Sequence, residues 1–500
     1  MPIPPLRVRL LADRPVNTDG RYVLYWMIAN RRTRWNSSLE RAVDWARQLG
    51  RPVMIFEAIR VGHRWASDRF HQFVLEGMRE SQNELRGLAG VTYLPYVEPH
   101  QGAGKGLLGA LATDASMVVT DDYPAFMLPS MIAAAVDQVR VRFEAVDANG
   151  LLPMRIPGRT FATAYAFRRV LQQTLPTYLG DRPAPDPLAD LPPSPAPVVP
   201  DDLLRRWPSA VADVGLNRTP LNHLPIDHGI SPVDQRGGAR AAASTLTRFL
   251  DEHLTAYGQS RNAVEHEVAS RLSPYLHFGH ISSWEVVAAV LGREGWLGGT
   301  GSRATGAREG WWGVSPAAEA FLDQIVTWRE LGFNMCVQEP DTYDRFDSLP
   351  SWAQATLGKH EADPRAYRYG LETFEHARTH DPLWNAAQNQ LVREGRIHNY
   401  LRMLWGKKIL EWTATPREAL ATMIELNNKY ALDGRDPNSY SGIFWTLGRY
   451  DRPWAPERPI FGTIRYMSSE NTARKMSVKG YVRRYAPDTS DAPTQPALWT

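Results

Sequence analysis

Cysteine is almost absent: the 500 residues contain one, Cys336. No disulfide can form within the chain, so a disulfide-stapled scaffold is excluded. A reducing, cytoplasmic setting fits, and Cys336 itself reads as a small buried hydrophobe. No CxxC or HExxH spacing occurs, so no metal centre is expected. There is no run of roughly 18 apolar residues, which argues against a membrane-spanning helix. The N-terminal MPIPPLRVRLLADRPVN has no long apolar core and does not read as a secretory signal. Charge of one sign is scarce as well: 57 Lys and Arg stand against 54 Asp and Glu, a net of +3. That balance does not announce a nucleic-acid binder, although a local basic face would suffice for one.

Tryptophan is abundant. The 17 indoles suggest stacking surfaces or redox work as well as core. The length allows two or three domains with sizeable cores.

In the N-terminal part, Tyr22 to Ala29 reads as a buried strand, Asn36 to Leu49 as an amphipathic helix and Pro52 to Ala58 as a second strand. Trp65 to Leu88 reads as a long helix with Phe70, Phe73, Val74, Met78 and Leu85 on one side. Further strands at 91–96, 117–120 and 141–146 alternate with helices at 104–112 and 128–140. The alternation predicts an α/β domain with a doubly wound parallel sheet over residues 1–174. No GxGxxG follows the first strand, so a dinucleotide fingerprint is missing. Residues 175–200 carry nine prolines and read as an extended, semi-rigid linker that continues irregularly to 234. Helical patterning resumes at 235. It predicts an all-helical domain over 235–485, with a glycine-rich surface loop at 292–313 and a disordered tail over 486–500.

The chain is organised around His380 to Trp445. Pro382 fits the first turn of a helix that Gly395 breaks or caps. A second helix, from about His398 to Trp412, places Leu401, Leu404, Trp405 and Ile409 at helical spacing. A third starts with Thr415 as cap and Pro416 at its first position. Asp433-Gly434 and Asp436-Pro437 mark turns. Three features here bear on chemistry. Trp405 and Trp412 are seven apart, on one face, with Trp384 on the adjoining helix. Such a row can carry an electron from a buried redox centre; by spacing alone it reads first as core packing. Arg402, one helical step from Trp405, needs a partner on an apolar face, and Asp433 is the nearest acidic candidate. A structural ion pair and an anionic ligand both satisfy it. Asn427-Asn428 could set an amide on a cofactor ring or simply cap a helix.

Taken together, HDPLWNA, REGRIHNYLRMLWGKKILEW, LNNKYALDGRDPNSYSGIFW and RPIFGTIRYM resemble the class II cyclobutane pyrimidine dimer photolyases of the photolyase/cryptochrome family. The resemblance runs from about Tyr22 to Tyr485 and is strongest in the C-terminal half. It implies an FAD-dependent enzyme that acts on DNA containing pyrimidine dimers, as a soluble monomer that associates with the nucleoid when bound. It implies a photoreduction chain of Trp384, Trp405 and Trp412. It places FAD against Tyr257, against Ser270, Arg271, Leu272 and Ser273 of SRLSPYLHFG, and against Asn399, Arg402, Asn427, Asp433 and Asp436. Asn427 would face the flavin N5. Ala269 stands where the family often has threonine.

The same resemblance puts Trp328 and Trp445 on the two walls of a lesion pocket. The family has a glutamate one turn before the first of these; here that slot holds Gln324, with Asp323 beside it. Glutamine bonds a base edge but cannot donate a proton to a radical anion. Arg452 and Arg465 fall in a segment that contacts opened DNA. Lys407, Lys408, Lys475, Lys479, Arg483 and Arg484 are plausible phosphate contacts or a solvated charged face. A deazaflavin or other antenna chromophore in the N-terminal domain is a further expectation. Rival readings are a cryptochrome-like photoreceptor without repair, a (6-4) photolyase and a helical nucleotide-binding scaffold. A (6-4) enzyme needs paired histidines where this chain has Asn399 and Met403.

Overall fold

The computed structural model describes residues 3–208, 221–301 and 303–487. By its contacts the chain divides into two units. Unit one is Met1–Gly258, Ala269–Tyr343 and Arg435–Asn438; unit two is Gln259–Val268, Asp344–Gly434 and Ser439–Thr500. The chain is α/β, with a doubly wound sheet in its N-terminal part and helices thereafter.

Unit one holds a six-stranded sheet: β1 (Val8–Ala12), β2 (Tyr22–Met27), β3 (Val53–Ile59), β4 (Val91–Val97), β5 (Ala115–Asp121) and β6 (Phe143–Val146). The order is β1-β6-β5-β2-β3-β4. β2 to β6 are mutually parallel, and β1 joins β6 antiparallel. Every residue of β2 and β5 is buried, as central strands covered on both faces must be. β1 is absent from the sequence expectation. An edge strand has one ladder partner and tolerates exposed charge, so VRLLA carries no continuous apolar run to betray it.

The helices of this sheet follow the predicted spans closely. In α1 (Ser37–Leu49), the Asn36 side chain accepts from the Ser38 and Leu39 N–H groups, and Gly50 ends the helix at φ 62°. That is a side-chain cap at one end and a left-handed glycine at the other. α2 (Asp68–Leu85) buries Phe70, Phe73, Val74, Met78 and Leu85, the face expected from its spacing. α3 (Leu107–Thr113) and α4 (Leu128–Val136) complete the set. Residues 191–200 have neither helix nor strand, whereas Asp201–Arg206 forms a short helix where irregular chain is expected. Residues 209–220 of the linker and 488–500 of the tail lie outside the described residues.

Strand order reverses between β2 and β5, and strand ends diverge at such a point to leave a crevice. Asp121, the last residue of β5, secures one lip. Its carboxylate accepts from Tyr25 Oη (2.8 Å), from the N–H groups of Ile28 (2.9 Å), Ala29 (2.8 Å) and Asn30 (3.0 Å), and from Asn30 Nδ2 (2.9 Å).

Unit two is helical. α5 (Pro382–Glu394) has Asp381 as cap, accepting from the Leu383 and Trp384 N–H groups, and ends at Gly395 with φ 68°. α6 (Asn399–Trp412) follows, then α7 (Pro416–Tyr430), whose cap Thr415 accepts from the Glu418 N–H. The sequence takes Asp436-Pro437 for a turn; the structure makes it the start of α8 (Pro437–Thr446). Asp436 Oδ1 accepts from the Asn438 N–H at 2.8 Å. An acidic cap followed by proline at the first position is a helix start.

Asp121→Ala strips acceptors from three backbone N–H groups at once. We expect a loss of at least about 3 kcal/mol, since each stranded buried donor costs roughly 1–3 kcal/mol. Urea unfolding of the purified variant measures it, and a loss within about 0.5 kcal/mol, the range of ordinary surface substitutions, would contradict this account.

Candidate functional site

In unit one, the segment Pro316–Gln338 is helical throughout, but its middle, Asp323–Trp328, is a π-helix. The sequence expects a single regular helix there. Such widened turns recur at functional sites because they push side chains off the regular face. From Phe321 to Cys336 every residue is buried except Gln324 and Trp328. These two, four apart, share the open side. Asp323 is turned away and pairs with Arg168 through two bonds of 2.7 and 3.1 Å. Glu330 is buried on the far side, where it accepts from the N–H groups of Leu151 (2.6 Å) and Leu152 (3.2 Å). Burial pushes its carboxyl up to about 7, against those two bonds and the nearby Arg329 and Arg7.

Elsewhere in unit one, SRLSPYLHFG forms a loop and a five-residue helix, Ser273–His277. Arg271 sits at φ 57°, and Ser270 Oγ accepts from the Leu272 N–H at 3.4 Å. Leu272 is buried, while Arg271 and Ser273 are exposed. Gly279 closes the motif at φ +75°, with its α-carbon so near the Ala29 carbonyl that a Cβ would sit 1.9 Å from that oxygen. Only glycine fits. Tyr257 packs edge-on against Phe249 (5.7 Å) and Phe321 (5.3 Å). Asp436 is committed inside this unit: it accepts from Tyr123 Oη at 2.9 Å and faces His277 Nδ1 at 3.5 Å. Burial opposes its charge, but His277, Arg329 and the Asn438 N–H hold the carboxyl below the usual range.

At the β2/β5 reversal lies a cavity of about 420 Å³. Trp26, Phe56, Phe70 and Phe126 give it aromatic walls, and Arg60 and Arg435 bring positive charge. Arg435 lies flat on Phe70, 3.7 Å from its ring centre, with a backbone φ of 67°. The sequence reading names none of these residues for a ligand. Positions as remote as Trp26 and Arg435 meet only through the fold.

In unit two the three indoles form one row. Trp384 stacks on Trp405 at 6.4 Å and 4°, and meets Trp412 edge-on at 6.0 Å. All three are buried. Trp384 Nε1 donates to the Trp405 carbonyl (3.0 Å), and Trp405 Nε1 to Gln388 Oε1 (2.9 Å). On the same α6, Arg402 makes a forked pair with Asp433, the shortest bond 3.0 Å. Asn399, the first residue of α6, is exposed. Asn427 is buried; its Nδ2 donates to Ser439 Oγ at 2.8 Å. Asn428 Nδ2 donates to Tyr440 Oη at 3.1 Å.

A second cluster surrounds Trp445, which is half-buried at the end of α8. The Arg465 guanidinium lies 5.5 Å from its ring centre and 4.0 Å from that of Trp454. Asp451 holds Arg465 at 2.9 Å and accepts from Trp454 Nε1 at 3.1 Å. Arg452 is exposed, with its guanidinium 4.5 Å from the Trp454 ring. The sequence reading does not single out Asp451 and Trp454, although a tryptophan set in DRPWAPERP is a signal in itself. Lys407 and Lys408 are corrected. Lys407 is fully buried, and Lys408 is buried and paired with Glu411 at 2.9 Å, so neither reaches a phosphate here. Their positions on α6 face neighbouring helices, which a charged dipeptide does not reveal. Lys475, Lys479, Arg483 and Arg484 are exposed.

The raised Glu330 carboxyl sets a pH dependence with a definite sign. Its folded value of about 7 exceeds the ordinary 4.5. The unfolded chain therefore loses this proton first, and stability falls as pH rises between those values. Glu330→Gln keeps an acceptor and removes the charge. Its stability relative to wild type should rise from pH 4.5 to pH 7 and then level. Denaturant unfolding across that range checks it; a difference independent of pH would show that Glu330 stays ionised.

No protein-family model matches the chain. The deoxyribodipyrimidine photo-lyase of Methanothermobacter thermautotrophicus is 34% identical over 482 residues, covering 96% of this chain and 97% of that protein. The photo-lyase of Oryza sativa subsp. japonica is 33% identical over 477 residues, 93% of this chain and 87% of its own. That of Potorous tridactylus is 31% identical over 489 residues, 96% and 84% respectively. A solved bacterial class III photolyase from Agrobacterium tumefaciens matches with a TM-score of 0.64 over 93% of this chain and 86% of that one. At 17% identity it bears on the fold alone. With 31–34% identity sustained along almost its whole length, the chain belongs to the photolyase/cryptochrome family.

Proposed function

We propose that this protein repairs cyclobutane pyrimidine dimers in DNA with blue light, as a class II photolyase. The observation that carries the proposal is the indole row beside a charge-balanced arginine on one helix, α6. Its full-length relatives named deoxyribodipyrimidine photo-lyase support the same reading.

The donor sets fit FAD. In unit two, Arg402 has five N–H donors, and Asp433 takes three bonds from its two terminal nitrogens. A guanidinium half-neutralised in this way can face an anionic ring without leaving an uncompensated buried charge. The buried amide of Asn427, bonded to Ser439, is of the kind that pairs with a ring nitrogen. In unit one, the Ser270 and Ser273 hydroxyls and the turn at Arg271 suit a diphosphate, with Tyr257 beside them as the family pattern implies. The resemblance also implies Asn399 in unit two and Asp436 in unit one, the latter already bonded to Tyr123 and the Asn438 N–H. Reduced FAD, when bound, supplies the light-driven electron that opens the cyclobutane ring and receives it back.

The protein's own part is to bind, orient and tune. Trp328 offers a flat face for an unstacked base, and stacking of this kind is worth about 1–3 kcal/mol per base. Gln324 beside it offers one donor and one acceptor to a base edge. Trp445, backed by Arg465, offers a second aromatic face. Arg452, Arg465 and the exposed lysines and arginines of residues 475–484 supply phosphate contacts. Trp405, Trp384 and Trp412 relay an electron inward and pass the hole outward. The cavity at the strand reversal, aromatic with arginines at its edge, suits a planar anionic antenna such as a deazaflavin.

Gln324 favours one alternative, a photoreceptor without repair, because it lacks the proton that a carboxyl could supply. The two readings part on a direct assay. Purified, reduced protein is illuminated with an oligonucleotide carrying one dimer, and recovery of base absorbance is followed. Repair above the dark control supports photolyase; flavin photochemistry without repair supports the receptor.

Two variants refine the assignment. Trp405→Phe should abolish photoreduction of oxidised protein and spare repair by protein reduced chemically beforehand. Photoreduction at the wild-type rate would demote the row to core packing. Trp328→Ala should weaken binding of dimer-containing DNA by about 1–3 kcal/mol, whereas Gln324→Glu should leave affinity within a few-fold and raise repair per absorbed photon. Silence of both Gln324→Glu and Gln324→Ala would remove residue 324 from the pocket.

A further inference from the structure

Helix α6 presents two chemically opposite faces to tryptophan. Trp405 and Lys407 are two residues apart, so they point to roughly opposite sides. The Trp405 side carries the stacked row, whose indole N–H groups donate to a carbonyl and to an amide oxygen. Such acceptors ease the removal of an electron from an indole. The Lys407 side carries a fully buried amino group. Its nitrogen donates to the Thr446 carbonyl at 2.6 Å and lies 5.2 Å from the Trp445 ring centre. Among the described residues, no carboxylate lies within 4.0 Å of it. Arg465, 5.5 Å from the same ring, is paired with Asp451 at 2.9 Å. The cation beside Trp412 is different: Lys408, 5.3 Å from that ring, is neutralised by Glu411 at 2.9 Å. The Trp445 ring thus has beside it a buried lysine with no carboxylate of the described residues within 4.0 Å, whereas the lysine beside Trp412 is paired with one.

We propose that Lys407 is a positioning residue that keeps Trp445 from acting as an electron donor, by holding a buried positive charge against its ring. A nearby cation stabilises the neutral indole over its radical cation, and the effect is strong where water is excluded. The hole is thereby confined to the Trp405–Trp384–Trp412 side, and the stacking wall is spared oxidation. This rests on the proposed roles of Trp445 and the row.

The charged groups facing Lys407 are Asp451 and Arg465. Burial works against the Asp451 charge, but bonds from Arg465, the Arg452 N–H and Trp454 keep its carboxyl below the ordinary range. A guanidinium does not titrate near neutrality. Burial lowers Lys407 to about 7, so Lys407 is the member of this cluster that changes charge between pH 6 and pH 9.

The test uses neither light nor the flavin's own chemistry. Azide radicals generated by pulse radiolysis take one electron from an indole and become azide anion. A second azide radical takes a second electron, water adds to the ring and two protons pass to solvent, leaving a hydroxylated tryptophan. The mass gain at each tryptophan is read by peptide mapping. The oxidant is neutral, so charge acts on the indole and not on the encounter. Trp328, also half-buried, is the internal reference. In Lys407→Met the Trp445/Trp328 oxidation ratio should rise roughly threefold or more, and Lys407→Arg should restore the wild-type ratio. In wild type the ratio should climb from pH 6 to pH 9; in Lys407→Arg it should stay flat. Should Lys407→Met not fold, the wild-type pH series decides alone. A ratio that ignores pH in wild type and is unmoved in folded Lys407→Met overturns the proposal. Failure of the repair reading would show instead as no dimer repair above the dark control on illumination, an assay this experiment does not involve.

Discussion

One hydrogen bond fixes the geometry on which the indole row of unit two depends. The indole N–H of Trp384, in α5, donates to the main-chain carbonyl of Trp405, in α6, at 3.0 Å. A carbonyl inside a helix already accepts from the residue four ahead, and its second lone pair is free to take a donor from a neighbour. The bond therefore costs α6 nothing and sets both the height and the rotation of α5 against it. The rings stack within 4° of parallel as a result. Gln388, one turn along α5, then accepts from Trp405, so both indole donors of the stacked pair are satisfied in a buried layer. Once this contact is made, the remaining faces of α6 are assigned. Arg402 falls beside Asp433, and Lys407 falls against α8.

Unit one solves a different problem, that of keeping crevices open in a packed interior. The strand reversal creates the crevice, and Asp121 gathers the backbone donors at its lip that would otherwise be stranded. Further along the chain, the π-helical turn at Asp323–Trp328 breaks a regular face so that Gln324 and Trp328 alone reach the open side. Glu330 and Asp323, the acids of the same segment, are both spent on structure, one on the Leu151–Leu152 backbone and one on Arg168. The absence of a spare carboxyl at position 324 is thus a chemical choice of this chain. Neither neighbouring acid can rotate in without breaking a buried bond. The π-turn and the left-handed Arg271 and Arg435 are departures from regular backbone that fall where function is proposed.

Much of this was legible beforehand. Helix caps at Asn36 and Thr415 and the glycine stop at Gly395 are local chemistry, and they appear where the residue types demand. So do the apolar face of α2 and the alternation that built a parallel sheet. The Arg402–Asp433 pair was legible because an arginine on an apolar face needs a partner and few acids lie downstream. Family motifs added what no periodicity could, the roles proposed for Trp328 and Trp445. Several features escaped, among them these. β1 is an edge strand with a weak signature. The start of α8 was hidden because an Asp-Pro step can open a helix as well as a turn. The burial of Lys407 and Lys408 contradicts the usual habit of lysine.

The sequence by itself determined what is set within one turn or one strand: caps, breaks, apolar faces, the strand–helix alternation and the spacing of Trp405 and Trp412. Tertiary structure decided everything that depends on which surface meets which. It placed Trp384 between the other two indoles, closed a cavity with Trp26 and Arg435, which lie far apart along the chain, and turned one lysine of a basic pair against an indole and the other against a glutamate. The physical reason is one of range. Local signals act through backbone hydrogen bonds and dihedral preferences over a few residues. The energy of a buried charge or a stacked ring depends on neighbours that the chain brings in from elsewhere.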